Sequence, residues 1–223
     1  MISVNLSEER KEINKICTSH GFAYAASLPW IKEVELRPKI EIAKRLHAIK
    51  ALVLWVLIRP EELSDKKILD FIDNNDLNDF ITEEEMYFLN AERGDQNAIN
   101  SIGWKFENAL PLACFFGFGD LLPSGEMMNG EIARNLFFEF CAKIDDSVED
   151  WMQQLQEKNQ TDVVFQEDLF YCLHNAVRSA QLGNKTVPEN FDPIGNGGVI
   201  HEKRHALTWM LSNVSWEDTD LST

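Results

Sequence analysis

Pro38-Lys39-Ile40-Glu41-Ile42-Ala43-Lys44-Arg45-Leu46-His47-Ala48-Ile49-Lys50-Ala51-Leu52-Val53-Leu54-Trp55-Val56-Leu57-Ile58 decides the fold. Proline opens the stretch where its missing N–H costs nothing. Ile42, Leu46, Ile49, Val53 and Val56 recur at three- and four-residue steps, the period of an α-helix. From Ala51 to Ile58 the chain is apolar on every side, and a helix apolar all round is buried all round. Arg59-Pro60 ends it. The spacing predicts a central helix over about 38–58, with the rest of the molecule packed around it.

The same signals recur outward from this helix. Ser7 caps a helix over 8–20 that stops at Gly21, and a connection with Tyr24, Pro29 and Trp30 follows. Ser64-Asp65 begins a short helix through Ile72. Thr82-Glu83-Glu84-Glu85 is a capping box whose helix runs to about Arg93. Asp95 starts another, through Leu110, with Gly103 and Pro111 predicting a kink or break. Residues 131–142, 147–157, 166–182 and 199–212 read as four more. Residues 183–198, with Pro188, Pro193 and four glycines, read as a candidate lid or binding loop. No segment alternates as a half-buried strand would, and no repeat is present. The expectation is an all-α fold, a single domain over 1–223 with about nine helices.

Composition limits the functions. The chain has 223 residues, 44% hydrophobic, and a net charge of -16. Such a field repels nucleic acid and anionic membranes, and it suits a protein partner with a basic surface. The first third carries a small positive excess and the remainder a large negative one. The basic run Arg37, Lys39, Lys44, Arg45, Lys50 is therefore expected to pack against acidic segments from later in the chain. Cys17, Cys114, Cys141 and Cys172 form no C-x-x-C pair and read as core thiols. The N-terminus has no secretory h-region and no apolar run approaches the roughly 20 residues of a membrane span, so a soluble cytoplasmic protein is expected.

His201-Glu202-Lys203-Arg204-His205 matches the H-E-x-x-H letters of zinc peptidases, in which two histidines share a metal beside a glutamate base. Four features oppose that chemistry. Two cations sit between the histidines, and no third histidine follows. Both histidines fall opposite the apolar stripe Val199, Ile200, Ala206, Leu207, Met210, Leu211, so they face solvent or a loop. The pattern is also short enough to arise by chance. No metal or cofactor is expected: P-loop and nucleophile-elbow signatures are missing too. Gly195-Asn196-Gly197-Gly198 could offer N–H groups to an anion, but reads better as a turn feeding a helix.

The wheel instead singles out charges on faces that must be buried: Lys203 and Arg204, Arg45 on the central helix, Glu107 between Phe106 and Leu110, and Arg178 after Ala176-Val177. A buried unpaired charge costs several kcal/mol, so each needs a partner or a polar site.

Arg37-Pro38-x-x-Glu41-Ile42-Ala43-x-Arg45, Trp104-Lys105-Phe106-Glu107-Asn108-Ala109-Leu110, Asp168-Leu169-Phe170-Tyr171-x-x-His174-x-Ala176-Val177-Arg178, Glu202-Lys203-Arg204-x-Ala206-Leu207-x-Trp209 and Trp216-x-Asp218 occur in an order and spacing that resemble a bacterial family, domain of unknown function 4272. The resemblance implies a mostly helical, soluble bacterial protein with no assigned activity, and its pattern stresses Glu202-Lys203-Arg204 rather than His201. The candidate binding residues are Arg45, Glu107, Asp168, Arg178, Lys203 and Arg204. Two functions fit: a non-catalytic module that binds another protein through its acidic surface, or an enzyme or small-ligand binder with a polar site between helices.

Overall fold

The computed structural model describes residues 7–29 and 34–223. Trp30 and residues 1–6 lie outside them. Among the described residues there are nine α-helices and no strand: α1 (Glu8–Ser19), α2 (Lys39–Leu57), α3 (Asp65–Asn74), α4 (Glu83–Leu89), α5 (Gln96–Phe115), α6 (Gly130–Arg134), α7 (Val148–Gln153), α8 (Gln160–Gln181) and α9 (Gly195–Met210). A 3-10 turn covers Asn78–Phe80, and α6 continues as a π-helical segment, Asn135–Phe140. The fold is all-α, as the periodicity predicts.

Every residue of α2 from Ile42 to Trp55 is buried except Lys44. Helix α5 packs on both α2 and α9, and α8 packs on α9 and α1. The core therefore runs through α2, α5, α9 and α8, and the shorter helices close over it. The N-cap of α1 is Ser7, whose hydroxyl accepts from the Arg10 N–H, and the Thr82/Glu85 capping box opens α4.

Several boundaries differ from those expected. Helix α5 runs unbroken through Gly103 and Pro111. Pro111 is buried with Leu112, Ala113, Cys114 and Phe115. Burying that face outweighs the ~3 kcal/mol that an interior proline costs. Helix α4 stops at Leu89, capped at Asn90, and Arg93 lies beyond it, donating to the Ile58 and Leu63 carbonyls (both 2.8 Å) and lying over the Trp55 ring. Helix α8 begins at Gln160 rather than 166, opened by an Asn159/Asp162 capping box.

Helix α9 begins at Gly195, so the glycine-rich run is its first turn and not a loop before it. The Asp192 carboxylate accepts from the Ile194 and Gly195 N–H groups (2.9 and 3.1 Å). The Gly197 and Gly198 N–H groups are bonded to the Asp192 and Ile194 carbonyls. A Cβ on Gly197 would lie 2.6 Å from Val177 Cγ1, and one on Gly198 would lie 2.8 Å from the Trp104 ring. The glycines let α9 approach α8 and α5. What remains of the expected lid, 183–194, is tied down: Ala23 N–H donates to the Thr186 carbonyl (2.9 Å), Thr186 Oγ1 donates to the Ala176 carbonyl (2.6 Å), and Phe191 packs edge-on against Phe22.

Candidate functional site

Among the described residues four buried cation–carboxylate pairs cross the core. Arg45 on α2 makes a bidentate pair with Glu85 on α4, with both bonds at 2.7 Å. Both side chains are 1% exposed. Arg10 on α1 pairs with Asp168 on α8. Arg204 on α9 lies 3.5 Å from Glu167 on α8, and Lys203 lies 3.5 Å from Glu107 on α5. Each pair joins two helices distant in sequence. Of the basic run, Lys39 meets Glu157, Lys44 meets Asp76 and Arg45 meets Glu85, all later in the chain. Arg37 pairs with Glu41 within the run, and Lys50 is buried against the Ala142 carbonyl rather than a carboxylate.

In three of these ties the cation has short bonds on several sides, although Glu167 Oε2 and Asp168 Oδ2 accept none. The Arg45 guanidinium also donates to the Phe80 carbonyl and is covered by the Trp216 ring at 3.9 Å. Burial raises the affinity of Glu85 for a proton, but Arg45 outweighs it and holds the carboxyl at about 2. Arg204 donates to His174 Nδ1 (2.8 Å) and to the Leu221 and Ser222 carbonyls (2.9 and 3.2 Å), and lies over the Tyr171 ring. Glu167 also accepts from Thr208 (3.0 Å). Arg10 donates to Asp168 and to the Pro29 carbonyl.

Arg178 does not belong to the group. It is exposed and donates to Gln181 (2.7 Å). Ala176 and Val177 face the core, and the next 100° step turns Arg178 outward.

Lys203 is different again. It is 3% exposed, yet it lines a cleft of about 390 Å³ between α5, the 118–129 segment, α6 and α9. The walls are Leu110, Cys114, Phe118, Leu122, Met127, Met128 and Ile132, with Asp120 and Glu126 also lining it. Leu122, Met127 and Ile132 are 65%, 60% and 38% exposed, an apolar group gathered on one opening. The ammonium has three polar neighbours, all long: the Ser124 carbonyl (3.5 Å), the Glu126 carbonyl (3.3 Å) and Glu107 Oε2 (3.5 Å). Glu107 Oε1 is held by the Met128 N–H at 2.6 Å, whereas Oε2 makes only the long contact to Lys203. Burial lowers the Lys203 pKa, against the opposing pull of Glu107.

The two histidines of the H-E-x-x-H run part company. His201 is about half exposed and its Nδ1 lies 3.1 Å from Glu202. His205 is partly buried under the closing segment: the Trp216 ring covers it at 4.4 Å and its Nε2 donates to the Trp216 carbonyl (2.9 Å). The closing segment, with no sequence signal for its path, brings Trp216 back over α9. Among the described residues no group of three or more His, Cys, Asp or Glu side chains is placed to hold a metal. All four cysteines are free and buried, and burial pushes Cys141 and Cys172 up to about 12.

Sequence reading did not single out Arg10, His47 or Glu167. Glu85 appeared only as the last residue of the capping box, Lys50 only within the basic run and His174 only within the family blocks. His47 Nδ1 donates to the Ala43 carbonyl (2.7 Å) while its Nε2 accepts from the Ala142 N–H (3.0 Å), so the ring is neutral.

Among the described residues the protein is all-helical, most of its buried cations meet a buried carboxylate, and the loosely held Lys203 amine opens on a cleft. The chain belongs to the family described as Domain of unknown function (DUF4272), which matches residues 9–219. Comparison with curated proteins and with solved structures finds no match. Among the described residues no helix is long and apolar enough to cross a membrane.

Proposed function

We propose that the protein is a soluble cytoplasmic binder of a small ligand, held in the cleft above Lys203. The observation that carries this reading is the contrast among the buried cations. Arg10, Arg45 and Arg204 have short bonds on several sides, whereas Lys203 has only contacts of 3.3–3.5 Å and faces a cavity. The cavity falls within the roughly 300–1,000 Å³ range of ligand sites, and its lining combines apolar walls with polar groups, Asp120, Ser124, Glu126, Asn129, Asn135 and Lys203. The Lys203–Glu107 pair is neutral overall, and Asp120 and Glu126 line the opening, so a neutral apolar ligand with one acceptor oxygen suits it better than an anion. Nile red, a neutral apolar dye with a carbonyl, is the probe. Its emission is expected to rise saturably at one site, and Leu122→Asp/Met127→Asp is expected to weaken binding about tenfold or more, ~1.4 kcal/mol. Equal binding by that variant, with an unchanged circular dichroism spectrum, would refute the cleft.

A second reading, a non-catalytic module for a partner with a basic surface, has its own support. Among the described residues five buried cations (Arg10, Arg45, Lys50, Lys203, Arg204) accompany four buried carboxylates (Glu85, Glu107, Glu167, Asp168). The whole negative excess therefore lies on the surface. Attraction of that kind weakens as salt rises.

A further inference from the structure

The inference here rests on the cleft reading and adds a reaction to it. We propose that Lys203 Nζ is a nucleophilic amine that forms an imine with a small neutral aliphatic aldehyde or ketone held in the cleft, Glu107 Oε2 carrying the proton. Three observations converge. The amine is buried but loosely coordinated, so a carbonyl oxygen can join its neighbours without displacing a short bond. The walls around it, Leu110, Phe118, Leu122 and Met127 among them, match an aliphatic chain. Glu107 is anchored through Oε1 on Met128 N–H, which leaves Oε2 aimed at the amine with no competing hydrogen bond.

The step balances. Glu107 Oε2 takes one proton from the ammonium, and the freed lone pair attacks the carbonyl carbon. The C–N bond forms, the π electrons move to oxygen, and a proton shifts from nitrogen to that oxygen to give a carbinolamine. Glu107 returns its proton to the hydroxyl, which leaves as water while the nitrogen lone pair closes the C=N bond. The products are a protonated imine, one water and an ionised Glu107, with no change of oxidation state. Desolvation in an apolar pocket favours the neutral amine that this attack requires. Lys50 is the internal comparison: it is buried as well, but against the Ala142 carbonyl, and it does not line this cleft.

The test treats the full chain with octanal and cyanoborohydride, maps the alkylated lysines by peptide mass spectrometry, and in parallel asks whether octanal displaces Nile red. Displacement together with Lys203 alkylated before the surface lysines is the expected result. Glu107→Gln is expected to slow Lys203 alkylation about tenfold or more with an unchanged circular dichroism spectrum. Displacement with no adduct on Lys203, or with surface lysines labelled first, overturns the imine and leaves the cleft standing. Neither displacement nor adduct overturns both. An adduct on Lys203 without displacement overturns the cleft reading on which the inference rests.

Discussion

Arg45 and Glu85 make two bonds of 2.7 Å in a place where neither touches water. Removing one partner of such a pair strands the other charge. Arg45→Met is expected to cost ~3–5 kcal/mol in urea unfolding, and Arg45→Met/Glu85→Leu to recover much of it. An equal or larger loss in the double variant would contradict a paired-charge role. Two histidines carry a pH dependence. Burial holds His47 at about 3, and burial with Arg204 alongside holds His174 at about 3, against an ordinary 6.5. In the window between these values the unfolded chain binds protons that the folded chain refuses. The contribution of these histidines to stability therefore falls as pH drops from about 6.5 towards 3, and that of Glu85 falls as pH drops from its ordinary 4.5 towards about 2, whereas Glu167 and Asp168, whose carboxyls burial pushes up, act in the opposite direction. Thermal melts across that range check the direction. His47→Gln should flatten the upper part of the curve. Arg45, Lys203 and Arg204 were visible in the sequence as cations on apolar faces, and Glu107 and Asp168 were singled out with them. Arg10, Glu85 and Glu167 were not, because Asp168 meets Arg10, Glu85 meets Arg45 and Glu167 meets Arg204 only through folding of the whole chain.

At the scale of the helices, α2 could be read outright, since its apolar run leaves a helix nothing but burial. Helix α9 could not. Gly195-Asn196-Gly197-Gly198 carries the composition of a loop, and only the approach of Val177 and Trp104 shows why glycine is needed inside a helix there. Gly197→Ala is expected to destabilise the protein by ~1–3 kcal/mol, since its Cβ would overlap Val177. Gly103→Ala has open space around it and should be neutral or stabilising by up to ~1 kcal/mol. Matched urea titrations decide between this account and one in which both glycines merely loosen their helices. Arg178 shows the opposite failure. Apolar neighbours in sequence suggested burial, but they occupy a different face of α8.

Over the whole molecule, charge separates by depth. Cations and carboxylates are nearly balanced inside, and the negative excess covers the outside. That division makes the cleft at Lys203 stand out, because it is where a buried charge and an exposed apolar opening meet. The sequence marked Lys203 as misplaced on an apolar face but could not reveal the cleft, whose walls come from α5, the 118–129 segment and α6. The most direct test follows the lysine side-chain NMR signals of a 13C-lysine-labelled protein as 2-octanone is added. The account predicts that the Lys203 signals shift saturably while those of Lys50 stay in place. Lys203 signals that do not move, or that move only in step with Lys50, would contradict it.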